Sequence, residues 1–274
     1  MVPQSKEHPI EPPKSLTIAG SDSGGAAGLQ ADLKTFTSLD VYGMSAVTAV
    51  TAQNSHEISS VILLPPAFVS AQIKAVLSDY GAQAVKSGFI GSRETIQAVA
   101  ASLLNYKIDW IIIDPVLVNH RGEPMFKASI TDAYIENLFP LANLVTPNLL
   151  ETQLLVGSNI TSLSELEQAA DKIQGFGSSW VLIKGWKQDG IVVDILYGQG
   201  SIQKFQSETI DTANTHGSGD TLSAAICSFL AKGKVMIEAV RLGHKYTNMA
   251  IRKAAGWQLG RGHGPLHHGP DNLS

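Results

Sequence analysis

Short β-rich apolar runs alternate along this chain with stretches whose apolar residues recur every three or four positions. L-T-I-A at 16–19 predicts a first strand that stops at Gly20, and 28–39 predicts a helix with Leu29, Leu33 and Phe36 on one side. Residues 46–50 and 58–64 follow as two buried strands, the second ended by Pro65-Pro66. Val69, Ile73, Val76, Leu77 and Tyr80 form a helical stripe. A short strand at 84–87, a helix at 95–104 and a W-I-I-I-D strand at 110–114, buried on both faces, come next. A brief strand at 144–146 closes at Pro147, and a helix at 163–176 opens with Ser162 or Ser164. Strands at 180–184 and 191–197 precede two final helices, 221–231 and 236–255. Such alternation predicts an α/β fold with a parallel or mostly parallel sheet covered on both sides. No repeat or linker interrupts 15–256, which predicts one domain, assigned as 15–268, between a disordered tail at 1–14 and a C-terminal tail at 269–274.

Composition narrows the function classes. The chain has 274 residues, 44% hydrophobic and 16% charged, with net charge −4. That is globular, and it offers no basic face for nucleic acid. No apolar run approaches the roughly 18 residues that span a membrane. The Pro-rich, charged start M-V-P-Q-S-K-E-H-P-I-E-P-P-K has no apolar core for a signal peptide. The lone cysteine, Cys227, excludes an internal disulfide, fits a reducing cytoplasm, and reads first as a small core residue.

In sheets of this kind ligands bind beyond the carboxyl ends of the strands. The polar punctuation there is Gly20-Ser21-Asp22, Gln53-Asn54, Ser87-Gly88, Asp114-Pro115, Thr146-Pro147-Asn148 and Lys184-Gly185. The most informative stretch is N-T-H-G-S-G-D-T at 214–221, a glycine turn running into a helical period. Its glycines fall where unpaired N–H groups and the positive dipole end collect, a place suited to phosphate. Asp220 adds a potential base inside that anion hole; a plain capped helix with a first-turn acid also explains it. The turn G-S-D-S-G-G-A-A-G at 20–28 fails the G-x-G-x-x-G spacing and lacks a Walker A lysine, so it reads as a substrate lip or a loop. Asp114 is a cap or a metal-side residue, and Asn148 with Glu151 is a capping box or a Mg²⁺ site. Lys184, after V-L-I, should face a cleft and could neutralise phosphate. His263, His267 and His268 in the tail read as loop punctuation ahead of a metal site, having no partner at ligand spacing.

Together these segments resemble the ribokinase-like superfamily, and within it the hydroxymethylpyrimidine/phosphomethylpyrimidine kinases of thiamin biosynthesis. The resemblance is carried by L-T-I-A-G-S-D-S-G-G-A-A-G-L-Q-A-D-L-K-T-F at 16–36, T-A-V-T-A-Q-N at 48–54, K-S-G-F-I at 86–90, I-I-I-D-P-V at 111–116, V-T-P-N-L-L-E at 145–151, V-L-I-K-G at 181–185, N-T-H-G-S-G-D-T-L-S-A-A at 214–225 and the G-R-G-H-G-P tail. It implies a three-layer α/β/α sandwich and an ATP-dependent kinase acting on a hydroxymethylated aminopyrimidine and then on its monophosphate. A pyridoxal or pyridoxine kinase of the same fold is the alternative. By resemblance Gly20, Asp32 and Gln53 hold the aminopyrimidine, and Phe89 packs on its ring. Asp114 and Glu151 organise Mg²⁺ through water, Lys184 sits by the ATP phosphates, and helix 236–255 borders the adenine. Gly217, Ser218, Gly219 and Asp220 form the anion hole, with Asp220 as base. The family also implies a homodimer, and a monovalent cation joins ATP and Mg²⁺ among the expected cofactors. One departure stands out: the pyrimidine kinases usually have Cys in G-[ST]-G-C-T, and this chain has Asp220, as ribokinase-like sugar and many vitamin kinases do.

Overall fold

The first strand, β1 (Lys14–Ser21), is buried at all six inner positions, as a two-faced apolar run requires. It lies between β2 (Tyr42–Gln53) and β4 (Ala84–Ser87), parallel to both. The computed structural model of the chain describes residues 11–119, 122–123, 125 and 128–269. The tail expectations at 1–10 and 270–274 lie outside the described residues. β5 (Trp110–Ile113), β6 (Leu144–Val145) and β7 (Trp180–Gln188) continue the parallel array from β4. β3 (Ile58–Leu63) pairs antiparallel with β2 at one edge, and β8 (Ile191–Gly198) and β9 (Ser201–Glu208) add an antiparallel meander at the other. One nine-stranded sheet results, in the order β3-β2-β1-β4-β5-β6-β7-β8-β9.

Helices cover both faces, giving the expected three layers. On one side α2 (Pro66–Asp79), α3 (Arg93–Leu103), α5 (Leu149–Val156) and α6 (Leu163–Gln174) pack Ile73, Ile96, Leu155 and Ile173 against Leu16, Ile18 and Ile113. On the other α1 (Gly28–Ser38), α7 (Ser218–Ala231) and α8 (Met236–Ala254) bring Phe36, Ile226 and Val240 against Ile112 and Leu182. Adjacent residues Ile112 and Ile113 thus serve opposite layers, as alternate side chains of a strand must. Each such fully buried aliphatic contributes roughly 1.5–3 kcal/mol. A short helix α4 (Ala128–Ala133) runs into a π-helical turn at Tyr134–Leu138 and a 3₁₀ turn at Phe139–Leu141. No described helix is long and apolar enough to cross a membrane.

Three expectations need correction. The strand at 58–64 is not buried: all six residues of β3 are exposed, because it is the antiparallel edge and no helix covers it. β9 was not expected, since S-I-Q-K-F-Q-S-E carries only Ile202 and Phe205 as apolar positions and draws its order from pairing with β8. The penultimate helix begins at Ser218, not 221, so the glycine turn is its first turn and not its approach.

Candidate active site

The carboxyl ends of the parallel strands open into a cleft of ≈ 660 Å³. Gly20, Gln53, Phe89, Asp114, Glu151, Lys184, Gly217, Ser218, Gly219 and Asp220 all line it. Two glycines make this convergence possible. Gly28 opens α1 at φ +57°, where a Cβ would sit 2.4 Å from the Gly20 carbonyl oxygen. Gly217 caps α7 at φ +81°, where a Cβ would fall 1.9 Å from the Ala26 carbonyl oxygen. Both positions need the left-handed region and an absent side chain. The 20–28 turn and the α7 turn therefore meet backbone to backbone. Asp22 braces the first of these turns, accepting hydrogen bonds from the N–H groups of Gly24, Ala26 and Ala27 at 2.8, 2.9 and 2.9 Å.

One part of the cleft suits anions. Gly217 provides no side-chain cap for α7, so first-turn N–H groups have no partner within the helix. Lys184 stands at a bulge in β7, where the β8 register shifts between Ile183 and Trp186, and this aims it out of the strand. Its Nζ lies 2.8 Å from Asp114 Oδ1. Burial alone would lower the Lys184 pKa, but Asp114 and Glu151 outweigh it and hold the ammonium protonated. Asp114, just past β5, also accepts from Thr146 Oγ1 and Ser223 Oγ, each at 2.9 Å. The capping box is present as well: Asn148 accepts from the Glu151 N–H, and Glu151 accepts from the Asn148 N–H, both at 2.9 Å. Glu151 is buried among these groups, and burial pushes its carboxyl up to about 7 against the pull of Lys184. The cap and the cleft-facing acid are one residue. Among the described residues no group of three or more His, Cys, Asp or Glu could hold a metal directly.

Beside the glycine turn, the lining suits a flat polar ring. Gln53 ends β2, its Nε2 3.1 Å from His216 Nε2 and its Oε1 3.3 Å from Thr51 Oγ1. The same His216 Nε2 lies 3.9 Å from Asp22 Oδ2, so His216 links Gln53 to the 20–28 turn. Phe89 forms a wall, and Gly20 leaves it room: a Cβ there would be 3.1 Å from Phe89 Cδ1.

Asp32 is the site residue the structure relocates. It has no exposed surface and does not line the cleft. One oxygen is taken by Lys86 Nζ, and the other accepts from Thr17 Oγ1 at 2.6 Å. A carboxylate so enclosed does not face a ring in the cleft. Sequence reasoning missed Lys86, Asp22 and His216. The signal for Lys86 was a lysine inside the buried strand A-V-K-S. Cys227 is fully buried, as a core residue should be, and burial pushes its thiol up to about 12. The tail histidines are more than punctuation. His263 lines the cleft with Nε2 2.7 Å from Thr215 Oγ1, and His268 is buried with Nε2 2.8 Å from Thr221 Oγ1.

Comparison with known proteins identifies the family of the chain. Residues 22–267 match the family described as phosphomethylpyrimidine kinase. A hydroxymethylpyrimidine/phosphomethylpyrimidine kinase of Rhizobium meliloti is 43% identical over 256 residues, covering 93% of this chain and 96% of that protein. The thiamine biosynthesis bifunctional protein ThiED of Geobacter sulfurreducens is 44% identical over 254 residues; the match covers 92% of this chain and about half, 51%, of that protein. Among solved structures, the pyridoxal kinase of Staphylococcus aureus in complex with AMP-PCP and pyridoxal superposes with a TM-score of 0.88 at 34% identity, covering 96% of each chain. With the family match spanning nearly the whole chain and the site residues converging on one cleft, this protein belongs to the phosphomethylpyrimidine kinase family.

Proposed function

We propose that this chain transfers the γ-phosphoryl group of ATP to the hydroxymethyl of 4-amino-5-hydroxymethyl-2-methylpyrimidine, and then phosphorylates the monophosphate to the diphosphate, in thiamin biosynthesis. The observation that carries this is a carboxylate, Asp220, in an uncapped helix N-terminus that shares one cleft with a ring-binding amide, Gln53. In the first step the substrate oxygen bonds to the γ-phosphorus, the bridging P–O bond to ADP breaks, and the hydroxyl proton passes to Asp220. The α7 N–H groups stabilise the equatorial oxygens and Lys184 offsets charge on the phosphates. Asp114 and Glu151 fit Mg²⁺ held through water, because each already accepts protein hydrogen bonds yet keeps lone pairs for the ion's waters. When bound, that ion neutralises phosphate charge. A monovalent cation belongs to the same reading, and turnover with and without K⁺ checks it.

The second step needs no base, since the attacking phosphate oxygen is already anionic. Asp220 then faces a like charge, and two unit charges about 4 Å apart repel by roughly 4 kcal/mol at an effective dielectric of 20. We expect a slower second step, partly relieved by neighbouring cations. A time course from the free pyrimidine should show monophosphate accumulating, and Asp220→Cys should shift the product toward diphosphate. Asp220→Asn should lower kcat on the alcohol by about 10²–10⁴-fold with KM for ATP retained. Near-wild-type turnover in that variant rejects Asp220 as base. The second reading, a pyridoxal-type kinase, draws on the likeness to the S. aureus enzyme bound to pyridoxal. Steady-state kcat/KM for the pyrimidine, its phosphate and pyridoxal separates the two. We further propose a homodimer, on the support of the uncovered β3 edge, and a cytoplasmic location, on the support of the lone cysteine.

A further inference from the structure

Lys86 has no exposed surface and lies outside the lining of the cleft. A buried ammonium persists only when paired. Its partners are Asp32 on α1, in direct contact, and Asp220 in the first turn of α7, whose Oδ1 is 3.4 Å away. Asp32 is also held by Thr17 and has no surface on the cleft. Asp220 alone of the three reaches the cleft, its side chain 15% exposed. The cluster is therefore an anchor, a shared cation and a reacting carboxylate. Other charged or titratable groups that act on Asp220 include Lys184 on β7 and His268 of the C-terminal segment. The sharing is unequal. Lys86 sits closer to Asp32, so Asp220 takes the longer of its two carboxylate contacts.

We propose that Lys86 is a positioning residue for phosphoryl transfer that acts through Asp220, and that Asp32 anchors Lys86 instead of contacting the substrate ring. This rests on the kinase reading of the cleft. As the acceptor oxygen bonds to the γ-phosphorus and the β–γ bridging bond breaks, the hydroxyl proton moves to Asp220. Lys86 is then left wholly to Asp32, so the charge lost from Asp220 strands no buried cation. When the acceptor is a phosphate and Asp220 stays ionised, the same ammonium reduces the repulsion between them.

Three variants test this, assayed with whichever hydroxymethyl acceptor the wild type turns over, so that a wrong substrate assignment fails separately. Asp32→Asn gives Lys86 entirely to Asp220. It should lower kcat about 10-fold and leave KM for acceptor and ATP within about twofold. Lys86→Met combined with Asp32→Asn removes the buried pair together. It should lower kcat by about 10- to 100-fold, while the same pair placed in Asp220→Asn costs less than about twofold further. An equal loss in both backgrounds would mean that the pair does not act through Asp220, and overturns the proposal. So does Asp32→Asn raising KM for the acceptor at unchanged kcat, the signature of a ring contact. If the paired variant fails to fold, Asp32→Asn decides alone, because it keeps Lys86 matched to a carboxylate.

Discussion

Gln53 has a well-defined geometry for the proposed role of reading the substrate ring. It ends β2, lines the cleft and has its amide oriented by His216 and Thr51. Losing one pocket hydrogen bond costs about 0.5–1.5 kcal/mol. Gln53→Ala should therefore raise KM for the pyrimidine by about 2- to 13-fold and spare KM for ATP, in steady-state assays varying each substrate. ATP suffering instead would mean that Gln53 serves the nucleotide and not the ring. Residues whose chemistry follows from standing at a strand end or a glycine turn were legible in the sequence: Gln53, Asp114, Lys184 and Asp220. Asp32 was not, because a carboxylate in a helix looks the same whether its partner is a ligand or a lysine contributed by a distant strand. Only the placement of Lys86 beneath α1 decides between them. Glu151 shows the opposite case, where one side chain both closes the capping box and lines the cleft.

Among the elements, the C-terminal segment does the least expected work. Pro265 bridges to His216, the His267 N–H donates to the Ala250 carbonyl oxygen at 3.2 Å, and the His268 ring reaches Thr221 in α7. Ser38 of α1 donates to the His268 carbonyl, so the segment ties α1, α7 and α8 together. Burial, with Lys34 and His267 adding to it, holds the His268 ring down to about 4, against about 6.5 for a free imidazole. The folded state thus binds this proton less readily than the unfolded chain. Its contribution is intact above about pH 6.5 and is lost as pH falls through about 4. Between pH 7 and pH 5 wild type should lose about 2 kcal/mol more stability than His268→Gln, whose amide can still bond Thr221. Urea unfolding at the two pH values measures the difference, and equal losses would refute it. Apolar periodicity was enough to find most helices and central strands. It failed for β3 and β9, where position in the sheet, and not sequence pattern, determines burial or pairing.

At the scale of the molecule, the mostly parallel sheet follows from strand–helix alternation alone, but its two antiparallel edges do not. The β3 edge leaves Ile62, 65% exposed, opposite Val50, also exposed, on an uncovered strand of the kind that recruits a partner. Ile62→Glu should convert the proposed dimer to monomer in sedimentation velocity; a wild type that is monomeric at micromolar concentration removes the dimer from the reading. The contact of Gly217 with the Ala26 carbonyl has a consequence for energetics as well as shape. A ligand that stills one turn should lower the entropic cost of ordering the other. ATP and pyrimidine should then bind with positive heterotropic coupling, and thermodynamic reciprocity requires each to tighten the other by the same factor. Calorimetric titration of a non-hydrolysable ATP analogue, with and without saturating pyrimidine, should show tighter binding in its presence by about 5-fold or more. Equal affinities would mean that the two turns touch without communicating.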